Sequence, residues 1–245
     1  MSRTGRTAIV TGASGGIGRA VAVRLAEDGF DVVVHYATGE EAARETVALV
    51  EAEQAKAIAV QADIADEQAV VAMFDQAEST FGGVDVVVNC AGWMPLSPIA
   101  ELDLDVLDGV LRTNVRGHFV VAQQAVRRLR AGGSFIGMST SVVGTQFPTY
   151  GAYVASKGAV EAVTLIIAKE LRGRDVTSNT VAPGPTETAL FTRGKTQEQI
   201  DASAKAAPLG RLGQPDDIAG TVAFLASPAG HWVNGQTIRV NGGLV

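Results

Sequence analysis

Apolar positions along the chain follow two alternating periods. Short runs carrying β-branched residues recur at 7–10 (TAIV), 31–36 (DVVVHY), 56–63 (KAIAVQAD), 84–92 (VDVVVNCAG, with its exit loop), 133–140 (GSFIGMST), 175–184 (DVTSNTVAPG) and 236–243 (QTIRVNGG). Short β-branched runs bounded by Gly, Asp or Pro read as strands. Between them, apolar residues return every three or four positions over 16–30, 40–54, 66–81, 101–130, 150–172, 198–206 and 214–227, which read as helices. The first ends near Gly29. The stretch 101–130 contains Gly117 and is long enough for a bend or two pieces. The last opens on Pro215, with acidic residues in its first turn. Repeated β-α units predict an α/β fold: a doubly wound, seven-stranded parallel sheet with helices on both faces, in a single domain over 1–245.

That topology has a functional consequence. Ligands of such sheets bind beyond the carboxyl ends of the strands. The loops after IVTG, VVNCAG, GMST and TVAPG should therefore share one rim. The least regular stretch is 183–197, and a substrate loop is expected at about 185–207. There is no linker, repeat or low-complexity segment.

Composition narrows the classes. Hydrophobic residues make up 47% of the chain but aromatic residues only 5%, which suits tight helix-on-sheet packing by Ala, Val and Gly. A formal charge of −6 argues against a nucleic-acid partner. The basic cluster RRLR at 127–130 reads as the solvated end of a helix. The single cysteine, Cys90, excludes an intrachain disulfide and fits a reducing compartment. No apolar run approaches the ~20 residues that span a bilayer. The segment MSRTGRTAIVTG lacks the apolar core of a signal peptide. A soluble, cytoplasmic protein is expected.

TGASGGIG (11–18) follows the first strand and opens the first helix. Glycines let a backbone turn sharply and approach a phosphate, and the helix N-terminus offers it unpaired N–H groups. Gly12, Ser14, Gly15, Gly16, Ile17 and Gly18 thus form a candidate pyrophosphate cradle. The spacing is not the common G-x-G-x-x-G. The same letters fit G-x-S-x-G, the hydrolase nucleophile elbow, with Ser14 as nucleophile. That reading needs a histidine, and His231 alone comes late enough, but an elbow after the first strand leaves no sheet before it. His35, His118 and His231 are too dispersed for a metal site. Tyr153 and Lys157 in GAYVASKGAV lie one helical turn apart on one face, among small residues.

Glycine turn, asparagine strand end and Tyr-x-x-x-Lys in this order make the chain resemble the classical short-chain dehydrogenase/reductases, including the 3-oxoacyl-(acyl carrier protein) reductases. TGASGGIG, NCAG (89–92), TNVRG (113–117), STSVVG (139–144), YVASK (153–157) and VAPGPTETAL (181–190) carry the likeness over essentially the whole chain. The resemblance implies a Rossmann-type fold and a metal-free NAD(P)-dependent oxidoreductase. In it Tyr153 is the general acid in carbonyl reduction, and Lys157 favours the phenolate and binds the nicotinamide ribose. A free tyrosine has a pKa near ~10, so a neighbouring charge matters. Asn114 would interrupt its helix and anchor a water leading protons to Lys157.

A serine hydroxyl would hold the substrate oxygen. Ser139, Thr140 and Ser141 are all candidates. SVVG favours Ser141, twelve residues before Tyr153, whereas the family's usual separation of thirteen lands on Thr140; a loop 142–152 one residue shorter reconciles the two, and Ser141 is the expected hydroxyl. By the same resemblance Asp63 and Ile64 receive the adenine, and Asn89, Ala91 and Gly92 line its ribose. Pro183 and Gly184 approach the nicotinamide, and Thr186 and Thr188 bind its carboxamide or the phosphates. The second strand ends in His35 and Tyr36, with no carboxylate before Glu40. An acid there would repel a 2′-phosphate, so NADPH is favoured over NADH, with Arg19 as a source of charge.

Trp93, Met94, Phe147, Tyr150, Leu190 and Phe191 are candidates for an apolar-to-mixed substrate pocket. A ketone reductase is expected, with an NAD-dependent alcohol or polyol dehydrogenase as the alternative. A serine hydrolase and a non-catalytic dinucleotide-binding protein are the readings of other classes. The resemblance also implies a homotetramer, built on helices 101–130 and 150–172 and on the C-terminal segment.

Overall fold

The structure, a computed structural model, describes residues 5–245. The signal-peptide expectation draws partly on residues 1–4, which lie outside the described residues.

Seven strands form one parallel sheet: β1 Arg6–Thr11, β2 Phe30–Tyr36, β3 Ala57–Gln61, β4 Val84–Asn89, β5 Leu129–Met138, β6 Val176–Pro183 and β7 Thr237–Val240. Their order is β3-β2-β1-β4-β5-β6-β7. The chain reverses direction across the sheet between β3 and β4, which opens the ligand crevice above β1 and β4.

Alternation along each strand supplies two cores. Ala8, Val10, Val32, Val34, Val86 and Val88 face helices α1 (Gly16–Glu27), α2 (Glu40–Ala52) and α10 (Pro215–Ala226). Ile9, Val33, Val87 and Phe135 face α3 (Glu67–Phe81), α5 (Gly117–Arg128) and α7 (Gly151–Glu170). Phe74 and Phe135 are essentially fully buried. Truncating either to alanine would cost about 3–5 kcal/mol.

The expected long helix over 101–130 is α4 (Leu104–Val110), a π-helical turn (Leu111–Arg116) and then α5. The chain therefore widens rather than breaks. Gly117 answers a packing need, since a Cβ there would stand 2.7 Å from the Ile64 side chain. Four short elements escape the periodicity: α6 (Val142–Thr145), α8 (Ala189–Thr192) and 3₁₀ turns at Ile99–Glu101 and Pro228–Gly230. Helix α9 (Gln197–Ala206) follows α8, with a Thr196–Gln199 capping box.

One helix, α7, is long and apolar enough to cross a membrane by length and composition, contrary to the reading of apolar runs. Eight of its side chains, including Tyr153 and Lys157, are buried. Its apolar character is that of a helix packed on β5 and β6.

Candidate active site

The glycine turn is built by close approach. Gly12 has φ 64° and packs on the loop after β4, where a Cβ would stand 2.9 Å from Ala91 Cα. A Cβ on Gly18 would stand 2.3 Å from the Gly12 carbonyl oxygen. A Cβ on Gly15 would meet no other part of the protein within 4 Å. Helix α1 starts there with no side chain capping it. Its first N–H groups and the open face of Gly15 fit a pyrophosphate. Ser14 and Ile17 are part-buried beside this opening.

His35 lies beneath the turn, not at its outer face. Its ring is buried, and Nδ1 accepts from Gly12 N–H at 3.1 Å while Nε2 faces the Ala62 carbonyl at 3.0 Å. This pairing fixes the Nε2–H tautomer. Burial pushes its pKa down to about 4, so the ring is neutral. Tyr36 is buried too. Just past the end of β2, Ala37 and Thr38 are exposed.

Arg19 is also spent within the protein. Its guanidinium donates to the Ser14 and Ala42 carbonyls at 3.0 and 2.9 Å, to Thr46 Oγ1 at 3.0 Å and to Glu45 at 2.9 Å. It fastens the turn to α2.

Asp63 accepts from Ala65 N–H at 2.9 Å and pairs with Arg112 at 2.7 Å. The N-cap of α3 is Asp66, three residues on. Ile64 points inward to Gly117, leaving only its backbone toward the rim. Asn89 is buried and committed: Oδ1 accepts from Thr11 Oγ1 at 2.6 Å, and its amide lies 3.1 Å from His118 Nδ1. The Ala91 N–H donates to that same Thr11 hydroxyl at 3.1 Å. Asn89 thus shapes the loop rather than facing it.

The chemistry gathers where α7 meets the ends of β4, β5 and β6. Lys157 Nζ is buried and donates to the Met138 carbonyl at 2.8 Å. A Cβ on Gly92 would stand 3.2 Å from Lys157 Nζ and 3.3 Å from Asn114 Oδ1. Asn114, in the π-helical turn, accepts from Trp93 N–H and donates to the Trp93 carbonyl, both at 2.8 Å, and donates to Ser156 Oγ at 2.9 Å. Ser156 in turn donates to the Tyr153 carbonyl at 2.7 Å.

The hydroxyl beside the Tyr153 phenol is that of Thr140. Ser141 points elsewhere: it donates to the Ala182 carbonyl and accepts from Asn241 Nδ2, each at 3.0 Å. Ser139 donates to Glu161 at 2.7 Å. The separation of thirteen residues, not the SVVG match, was the informative signal.

Burial pushes the phenol of Tyr153 up to about 12, against the Thr140 hydrogen bond. Burial also lowers the Lys157 ammonium to about 8, although Cys90 pulls it upward. Lys157 Nζ lies 5.9 Å from the Tyr153 ring centre. Desolvation outweighs the expected phenolate-favouring charge, so at neutral pH the protein holds a protonated phenol beside a protonated amine.

Pro183 is buried and ends β6. A Cβ on Gly184 would stand 2.8 Å from Asn241 Cα. Thr186 Oγ1 is turned back onto the Gly184 carbonyl at 2.9 Å. Thr188 caps α8, and its methyl would stand 3.3 Å from a Cβ on Gly16. This segment therefore spans from the Tyr153 side of the rim to the glycine turn.

The hydrolase arrangement is absent. His35 and His118 are engaged below the rim, and His231 pairs with Asp175 at 2.8 Å, just before the start of β6, at the opposite end of the sheet from Ser14.

The sequence matches the family profile described as enoyl-(acyl carrier protein) reductase over residues 12–245. It is 43% identical to a short-chain type dehydrogenase/reductase of Picea abies, covering 98% of this chain and 93% of that protein. It is 42% identical to the chloroplastic NADPH-dependent aldehyde reductase 2 of Arabidopsis thaliana, over 98% and 93%. A short chain dehydrogenase from Burkholderia cenocepacia J2315, solved in complex with NADP, superposes with a TM-score of 0.93 at 37% identity, covering 98% of both chains.

Proposed function

The chain belongs to the short-chain dehydrogenase/reductase family, and we propose that it is an NADPH-dependent reductase converting a ketone to a secondary alcohol. The observation that carries this reading is the meeting of Thr140, Tyr153 and Lys157 beside an uncapped glycine turn.

NADPH, when bound, supplies the hydride to the carbonyl carbon. The protein's own part is to orient the carbonyl and deliver a proton. Thr140 and Tyr153 both hydrogen-bond the carbonyl oxygen, and Tyr153 gives up its phenolic proton to it. The raised phenol pKa suits that direction, because the acid is fully protonated at neutral pH. Lys157 faces Gly92, where the ribose hydroxyls would lie, and its charge stabilises the phenolate left behind. The Asn114 side chain is committed to Trp93 and Ser156, so its main-chain carbonyl is the group left to hold a water toward Lys157.

NADPH is favoured over NADH because no carboxylate stands at the end of β2, and Glu40 is paired with Arg44 at 2.6 Å. With Arg19 already spent, the preference rests on this missing repulsion. Relatives named as NADPH-dependent, and solved relatives holding NADP, support the same choice. Thermal unfolding with each dinucleotide tests it. NADPH should raise the transition more than NADH at equal concentration. A larger shift with NADH would turn the reading toward alcohol oxidation.

We also propose a single-domain, cytoplasmic homotetramer. Helices α5 and α7 flank a groove of about 740 Å³ whose rim exposes Phe119 and Ile166. A second copy of the chain would cover it.

A further inference from the structure

Three rings lead from solvent to the reacting phenol. Phe147, almost half exposed, lies 6.3 Å from Tyr150, and Tyr150 lies 6.5 Å from Tyr153, centre to centre. Both pairs are tilted by 59°. These are the separations at which aromatic rings attract one another in inclined arrangements. Tyr150 is half-buried and Tyr153 almost wholly buried, so the row grows drier toward the reaction centre.

The segments beside the row are largely apolar. Trp93, Leu96, Ile99 and Leu190 are all exposed large hydrophobic residues on the loops after β4 and β6. Ile99 sits on Gly151, one residue after Tyr150, where a Cβ would stand 2.5 Å from Ile99 Cδ1. The Ser97 N–H donates to the Thr149 carbonyl at 3.0 Å and ties the loop after β4 to the loop that carries the row. The segments 90–100, 142–150 and 188–192 contain no Asp, Glu, Lys, Arg or His. Cations stand at the edges of these segments: Arg193 is exposed directly after the third, Arg239 Nη2 would stand 3.6 Å from a Cβ on Gly144, and Lys195 is turned onto the Phe191 carbonyl at 2.6 Å and lies 4.2 Å over that ring.

From this we infer that the substrate is an aryl ketone, its ring system lying along the Phe147–Tyr150–Tyr153 row and its carbonyl at Thr140 and Tyr153. Exposed apolar surface around a reaction centre gains most from an apolar ligand. An aliphatic ketone or thioester would fill the same space without the ring-on-ring contacts that the row offers. Tyr150 and Phe147 then determine specificity without touching the reacting atoms.

This inference rests on the reductase reading above, and the test separates the two. Purified protein with NADPH is assayed on 2-tetralone, on 2-decalone and on acetoacetyl-CoA. The two ketones share a ten-carbon bicyclic skeleton and differ in one aromatic ring. The expected kcat/KM for 2-tetralone exceeds that for 2-decalone by about tenfold or more, with acetoacetyl-CoA below both. Phe147→Leu and Tyr150→Leu should pull the tetralone-to-decalone ratio toward one. Phe147→Tyr and Tyr150→Phe, which keep the rings, should preserve it. Turnover in which 2-decalone equals 2-tetralone, or acetoacetyl-CoA leads, overturns the aryl assignment and leaves the reductase standing. An unchanged ratio in the leucine variants overturns the role of the row. No NADPH consumption with any of the three carbonyls removes both readings together.

Discussion

At the scale of single residues, the site turns on which hydroxyl meets the phenol. Ser141 fits the local motif but is held between the Ala182 carbonyl and Asn241. Thr140 stands beside Tyr153. Thr140→Val should therefore lower kcat for ketone reduction by roughly 10²–10³-fold, the usual effect of losing a donor to the developing oxyanion. Ser141→Ala should cost less than tenfold in kcat, in the same steady-state assay. The reverse ranking would return the role to Ser141. Two further residues were legible only in type. His35 and Asn89 carry groups that suit a ribose, yet both side chains face inward, because the turn and the β4 loop need internal partners for Gly12 N–H and Thr11. Sequence shows which polar groups exist, not which way the packing turns them. The pH profile follows from the same burial. Below about 8 both Lys157 and Tyr153 hold their protons in the free protein. The value of kcat/KM for reduction should be flat at neutral pH and fall as pH rises through about 8, when Lys157 loses its charge. A rise above that pH would contradict an acid role for the pair.

At the scale of elements, strands and helices were readable where burial is one-sided or complete. The seven β-branched runs and the helices between them lie where the hydrophobic periods put them. The π-helical turn at Leu111–Arg116 was not readable, because it adds no distinctive residue and its cause lies across the fold, in Asn114 gripping both backbone groups of Trp93. The short helices α6 and α8 are too brief to show a period. The glycine turn was readable as a cradle, and the structure divides its labour: Gly18 is required by contact, whereas Gly15 is required only by openness. Gly18→Ala places a methyl within 2.3 Å of the Gly12 carbonyl oxygen. It should abolish the rise in unfolding temperature that NADPH gives, or prevent folding altogether. A variant of wild-type stability with wild-type NADPH affinity would show that the turn yields more easily than its geometry implies.

At the scale of the whole molecule, the parallel sheet brings four loops, far apart in sequence, to one rim, and α7 delivers Tyr153 and Lys157 to it. On the outer side of α7, Ile166 and the neighbouring Phe119 of α5 flank the groove that the proposed tetramer would cover. Phe119→Glu with Ile166→Glu should shift the protein to a smaller species in sedimentation at micromolar concentration. An unchanged size would place the subunit contact elsewhere. The central claim is that Tyr153 is the proton donor of an NADPH-dependent carbonyl reduction. The most direct test is single-turnover reduction of 2-tetralone by Tyr153→Phe, with NADPH affinity measured on the same sample. The account predicts a loss of about 10²–10⁴-fold in rate with NADPH binding retained. Undiminished reduction by the phenylalanine variant would contradict it.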